Sequence, residues 1–392
     1  QMRRLQLWWL ERMIETPRPL EEKLTLFWHG HFATSYRSVE DSYNLFLQNQ
    51  FFRANAAGSF ANLVYGIIRD PAMLAYLNNN QNNRAKPNEN LARELMELFT
   101  LGEGHGYTES DIKNGARALT GFTFDDNDFV FNKNNHDPDD KTIFGQSGNF
   151  DGTDFCRLIL SKTICSEYLC LKLYRFFVND LPGTPPKVAQ DFILALAHEL
   201  RESNYALRPM LKKLFTSEHF YNEDNTSSLI KSPVQIVVQT IRSLLTPVRS
   251  LDALVSACDY MGQNIFFPPS VKGWDGGRAW INTSTLFVRQ NLAVFLLTGR
   301  RPDQYEWQSD GKAYDASHLI AHLQSTAASQ SQQDYATNVV TYLLRFALGA
   351  EPHHDRIAEL MQYVESQKFQ IDNDTLVALL ALIAAMPEFQ LC

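Results

Sequence analysis

Apolar positions in this chain recur every three to four residues over most of its length, the spacing of amphipathic helices. In PLEEKLTLFWHGHF, residues 19–32, Leu20, Leu24, Phe27 and Trp28 share a face. Pro19 stands in the first turn with carboxylates after it, the chemistry of a helix start. The same pattern predicts helices over 41–51, 60–69, 71–77 and 89–101. Thr108-Glu109-Ser110-Asp111 approximates a capping box and opens another. Further helices are expected over 152–160, 167–178, 186–201, 207–216, 233–245, 251–261 and 285–298. The C-terminal part adds 316–325, 334–348, 354–366 and 375–386.

One stretch changes period. In GFTFDDNDFVFNKNNHDPDDKTIFG, residues 121–145, Phe122 and Phe124 alternate with Thr123, and Phe129 and Phe131 flank Val130 across a DDND turn. That is a small β-hairpin, with Thr142–Phe144 as a third strand. The fold class is therefore mainly α: a large multi-helix globule with a β-hairpin insertion near residues 121–145. GRRPDQYEWQSDGKAY, residues 299–314, is polar and turn-rich, and residues 325–333 are low in complexity. These breaks suggest a main helical domain over 1–299 and a C-terminal helical subdomain over 300–392 packed on it.

Composition narrows the picture. The chain has 392 residues, 44% hydrophobic with 26 Phe, enough for a sizeable core. Its net charge is 36 − 44 = −8 with no basic block, which argues against a nucleic-acid partner. No run approaches the ~20 apolar residues of a membrane span. QMRRLQLWWLERM at the start reads as the middle of a helix and has no signal-peptide cleavage site. Five cysteines, Cys156, Cys165, Cys170, Cys258 and Cys392, fit no zinc spacing and read as buried thiols or as holding a single disulfide among them.

Four segments carry candidate chemistry. In PNENLARELMELFTLGEGHGYT the apolar face is Leu91, Ala92, Leu95, Leu98 and Phe99, while Asn90, Glu94 and Glu97 make a separate stripe. Two carboxylates one turn apart suit a metal ion or a division of acid and base roles. The plainer alternative is a solvated face with Arg93 pairing Glu97. Asn88 and Asn90 precede the acids as candidate substrate-binding groups. In Trp28-His29-Gly30-His31-Phe32 the two histidines are candidate metal ligands with Glu94 and Glu97, or else one buried and one exposed histidine. Asn135-His136-Asp137-Pro138-Asp139-Asp140 offers His136 as a catalytic group and Asp137 as a substrate contact, or a polar turn. In PPSVKGWDGGRAWIN, Lys272 is a catalytic candidate, and Trp274 and Trp280 are stacking surfaces or loop pins. GxSxG, P-loop, Rossmann and HExxH signatures are absent.

Taken in order, several long motifs resemble the bacterial family catalogued as domain of unknown function 1800. They are EEKLTLFWHGHFATS, NQFFRANAAGSFANLVYGIIRDPAML, PNENLARELMELFTLGEGHGYTESDI, ALTGFTF, HDPDDKTIFGQSGNFDG, LIKSPVQIVV, PPSVKGWDGGRAWINTSTL and MPEFQ. Together they run from Glu21 to Gln390. Many members have glycine after the aspartate of the His-Asp segment, where this chain has Pro138-Asp139. The resemblance implies an exported bacterial protein of mainly helical fold, located in the periplasm, at the cell surface or outside the cell. It also implies a partner: a neighbouring-gene exported protein that looks like sulfatases and phosphatases. It brings no catalytic residue, substrate or cofactor.

The expectation from the residues is an enzyme holding a divalent metal ion on His29 and/or His31 with Glu94 and Glu97. Hydrolysis and oxidation both fit such a site. The competing expectation is a non-enzymatic scaffold or a polysaccharide- or protein-binding protein, whose polar motifs brace the helices.

Overall fold

In the computed structural model, residues 1–327 and 330–392 are described. The protein is mainly α-helical, and its β content is two small antiparallel hairpins. Two compact units form. The first comprises Gln1–Leu5, Thr16–Asn222 and Phe266–Asp275; the second comprises Gln6–Glu15, Glu223–Ile265 and Gly276–Cys392. The expected break near 299–300 falls inside the second unit. The low-complexity break expected over 325–333 lies partly outside the described residues.

Local chemistry sets the helix ends in the first unit. The Pro19–His31 helix has proline at its start and Glu21 and Glu22 in its first turn. Asp41, Ser59 and Asp70 cap the Ser42–Ala54, Phe60–Ile67 and Pro71–Tyr76 helices through their side-chain oxygens. The capping box at Thr108 is present, with Asp111 answering the Thr108 amide. The apolar faces meet in one core that includes Leu24, Trp28, Phe32, Phe60, Leu95, Phe99 and Leu169, all essentially inaccessible to water. Into this core runs a buried bidentate ion pair. Arg53 donates from Nε and Nη2 to the two Glu22 carboxylate oxygens at 2.6 and 2.9 Å.

The hairpin is as expected: β1 (Phe122–Asp125) pairs with β2 (Asp128–Phe131), Phe122 opposite Phe131. The third strand is a correction. β3 (Lys141–Ile143) does not join that sheet but pairs with β4 (Gln146–Gly148). Phe144 and Gly145 both have positive φ, and two consecutive left-handed residues fold the chain back on itself at once.

A second correction concerns the acidic helix. The single helix expected over 89–101 is α-helical only from Asn90 to Glu94; Leu95–Thr100 is a π-helix. The wider turn absorbs one more residue than an α-turn does. Met96, outside the predicted apolar face, is accordingly fully buried.

In the second unit the helices Pro233–Leu244, Leu251–Tyr260, Thr283–Thr298, Gln332–Leu348, His354–Ser366 and Asn373–Ala384 follow the predicted ones closely. Ser317–Leu323, expected as α-helix, is a 3-10 helix. Here LIKSPVQ and MPEFQ are stitched together. The Lys231 amide donates to the Gln390 carbonyl at 2.8 Å, and Lys231 Nζ to the Phe389 carbonyl at 2.8 Å. No helix among the described residues is long and apolar enough to cross a membrane.

Candidate functional site

The site is built where the last turn of the Asn90–Glu94 helix passes into the π-helix. Arg93 gathers three carboxylates there: Glu97 at 3.2 Å, Glu89 at 3.1 Å and Glu109 at 2.8 Å. The Arg93–Glu97 pair that the sequence offered as the plainer alternative is therefore formed. Glu94 is left over. It is half-buried and has no hydrogen bond or ion pair among the described residues. Burial, then the neighbouring Glu97 carboxylate, raises its pKa; Arg93 and Lys272 pull it back, and Glu103 adds to the rise. Lys272 lies 3.7 Å from Glu103, an exposed and weak pair. Tyr76 and Tyr107 sit close enough to these acids to have their hydroxyl pKa values raised, in both cases after burial.

Two side chains hold the widened turn. His31 Nε2 lies 2.9 Å from the Phe99 carbonyl, and Tyr168 Oη donates to the Leu98 carbonyl at 3.0 Å. Thr100 Oγ1 donates to the Leu95 carbonyl. The Leu98 and Phe99 carbonyls thus find donors on other segments, and the Leu95 carbonyl finds one on Thr100 of the π-helix itself.

The loop carrying Lys272 and Trp274 is docked on the Pro19–His31 helix. His29 Nε2 accepts the Phe266 amide at 3.1 Å, so the ring carries its proton on Nδ1. Gly273 has φ +78 and presses on the helix: a Cβ there would stand 2.2 Å from the Gly30 carbonyl oxygen. Trp274 lies over Gly30, its ring centroid 5.6 Å from that of His29.

The residues of the expected metal set are placed as follows. His29 and His31 are both buried, and both are engaged by backbone groups. Burial pushes the His29 pKa down to about 3, and that of His31 well below its ordinary value. Glu97 is ion-paired with Arg93, which it shares with Glu89 and Glu109. Among the described residues no three His, Cys, Asp or Glu side chains stand together to hold a metal ion. The set His29, His31, Glu94 and Glu97 is thus not assembled, because each histidine serves its local packing instead.

The remaining candidates are placed as follows. Asn88 shapes the turn before the Asn90–Glu94 helix: its Oδ1 accepts the Asn90 amide and its Nδ2 donates to the Asn78 carbonyl. Asn90 is exposed. His136 Nδ1 is 2.9 Å from the Thr120 carbonyl, and the ring packs on Phe131. Asp137 takes Arg117 in a two-pronged ion pair at 2.6 and 3.3 Å. Lys141, buried, donates to the Asp137 and Asp139 carbonyls. The His-Asp segment is therefore a hydrogen-bonded brace. Trp280 belongs to the second unit, where its ring is buried near Gly262 and its carbonyl accepts from Thr285. It acts there as a pin and offers no open stacking face.

The residues define a mainly helical protein with an acid-rich polar site on a π-helical turn. The chain belongs to the family described as a protein of unknown function (DUF1800), matched over residues 1–391. No curated protein and no solved structure matches it.

Proposed function

We propose that this chain is an enzyme of the acid–base type, in which Glu94 carries a proton to or from a polar substrate. Hydrolysis is the reaction class: a half-buried carboxyl with a raised pKa can activate water and then protonate a leaving group near neutral pH. The observation that carries the reading is the contrast among neighbours. Glu89, Glu97 and Glu109 share the one guanidinium of Arg93, whereas Glu94 beside them has no hydrogen bond or ion pair among the described residues. Lys272 and Trp274, on the docked loop, supply a cation and a ring for substrate contact. The π-helix adds weight, since such turns occur most often at functional sites. An extracytoplasmic location belongs to the same proposal and rests on the family's motifs.

The test is a panel of chromogenic esters, phosphoesters and glycosides with the wild type and Glu94→Gln. The proposal expects turnover of at least one class and a loss on the order of 10²–10⁴-fold in Glu94→Gln at unchanged thermal stability. Equal rates in the two proteins, or no turnover by either, would sink it. A chelator added to the same assays reads metal dependence separately. Activity lost to the chelator and restored by a divalent cation would make Glu94 a metal ligand rather than a proton carrier.

A second reading, a non-enzymatic scaffold, has its own support: His29, His31, His136 and Asp137 are all used as internal braces. Under it the neighbouring exported sulfatase- or phosphatase-like protein is the binding partner, and co-purification of the two proteins is its test.

A further inference from the structure

Among the described residues Arg53 is paired with Glu22, Arg117 with Asp137 and Arg249 with Asp310, while Lys141, Lys231 and Arg289 donate to neutral oxygens. Lys172 and Arg175 have fewer partners than these. They lie three residues apart on the Thr163–Phe177 helix and so share a face. Lys172 is half-buried; its Nζ stands 5.6 Å from the Tyr168 ring centroid, with no hydrogen bond or ion pair among the described residues. Arg175 gives one Nη2 to the Gly183 carbonyl at 3.0 Å and leaves Nε buried without a partner. Neither has a carboxylate within ion-pair distance among the described residues. His31, close enough to feel the Lys172 charge, also keeps a buried ring nitrogen, Nδ1, without a partner.

Two partly desolvated cations one turn apart repel each other and have lost hydration, and a protein that keeps such a pair needs a counter-charge. We propose that Lys172 and Arg175 form a binding site for an oxyanion, the carboxylate, phosphate or sulfate group of a small ligand. The guanidinium offers a planar donor edge and the ammonium a point charge, the usual combination for tetrahedral or planar oxyanions. Burial, then the Arg175 charge, brings the Lys172 pKa down to about 8, and an anion bound between the two would reverse that shift. Tyr168 connects the pair to the π-helix, since its ring faces Lys172 while its hydroxyl holds the Leu98 carbonyl. The proposal does not rest on Glu94 being catalytic.

The experiment is thermal unfolding and calorimetric titration with inorganic phosphate, sulfate and acetate, each against chloride at equal ionic strength. The wild type is expected to gain stability from at least one of the three beyond chloride. The preference among them tells a tetrahedral dianion from a carboxylate. Lys172→Met, which removes an uncompensated charge, is expected to unfold no earlier than wild type in chloride and to bind the anion about tenfold more weakly. The proposal is overturned by a wild type that responds to all three anions no more than to chloride, or by a Lys172→Met protein that responds equally. Should that variant not fold, wild-type labelling decides: reductive methylation of Lys172, read by mass spectrometry, must slow severalfold in the preferred anion. Unchanged labelling overturns the proposal.

Discussion

His29, His31 and Asp70 are buried ionisable residues whose protonation is set by packing. His29 binds its proton only near pH 3 in the folded chain against 6.5 when unfolded, and the His31 shift has the same sign. Between those values the unfolded chain holds more protons, so these two residues make stability rise with pH and reach its full value above 6.5. Asp70, which caps the Pro71–Tyr76 helix and accepts from Gln48, is raised by burial to about 7. It acts oppositely: the folded chain holds the extra proton between 3.8 and about 7, and stability falls as pH rises through that window. For His29 and Asp70 the contribution is on the order of 4–5 kcal/mol at its limit. Urea unfolding from pH 4 to 8 checks the signs. His29→Gln, which keeps an acceptor for the Phe266 amide, is expected to flatten the acid-side rise. Asp70→Asn is expected to steepen it. Unaltered slopes in both would show that these groups titrate as they do in water.

At the scale of elements the π-helix is the feature on which the site depends. Its Leu98 and Phe99 carbonyls rely on Tyr168 and His31, so removing one donor leaves a carbonyl in the core without its partner. Tyr168→Phe is expected to cost about 1–3 kcal/mol. It should also change the pKa of Glu94, because the turn that separates Glu94 from Glu97 loses one of its clamps. Carbon-detected NMR titration of the glutamates reads that change, and a purely packing role for Tyr168 would leave it unmoved.

Much at this scale was legible in the sequence. Prolines, caps and apolar spacing located the helices to within a few residues, and the Phe-rich alternation located the first hairpin. The π-turn was not, although Met96 offered a signal: it is an apolar residue too many for one α-helical face, between Leu95 and Leu98. Of the candidate site, the sequence singled out the acids, the loop and the histidines, but not the backbone partners that the histidines take. Residue types and spacing show which groups could bind a metal. They do not show that the Phe266 amide and the Phe99 carbonyl, distant in sequence, take those groups first. Lys172 and Tyr168 lie in no motif, and Glu103 was not singled out within its own, because what distinguishes them is the neighbours they have or lack.

For the whole molecule, the first compact unit is discontinuous, and its segment Phe266–Asp275 is held by the His29–Phe266 hydrogen bond and the Gly30–Gly273 contact. A chain ending at Asn222 would keep most of that unit's helices but lack the strip that covers His29 and Gly30. It is expected to unfold at lower temperature and with a broader calorimetric transition than the same fragment with residues 266–275 rejoined through a flexible linker. Identical transitions for the two fragments would show that the strip adds nothing to the unit.

The same bond has a consequence for how the protein is made. The imidazole of His29 and the amide of Phe266 are 237 positions apart. At ribosomal speeds of roughly 5–20 residues per second, that separation is on the order of ten seconds or more of synthesis. During that interval the ring lacks the Phe266 amide and the Phe266 and Trp274 rings that pack on it. The emerging polypeptide is then at its most sensitive to acid, and to any chaperone that recognises bare aromatic surface.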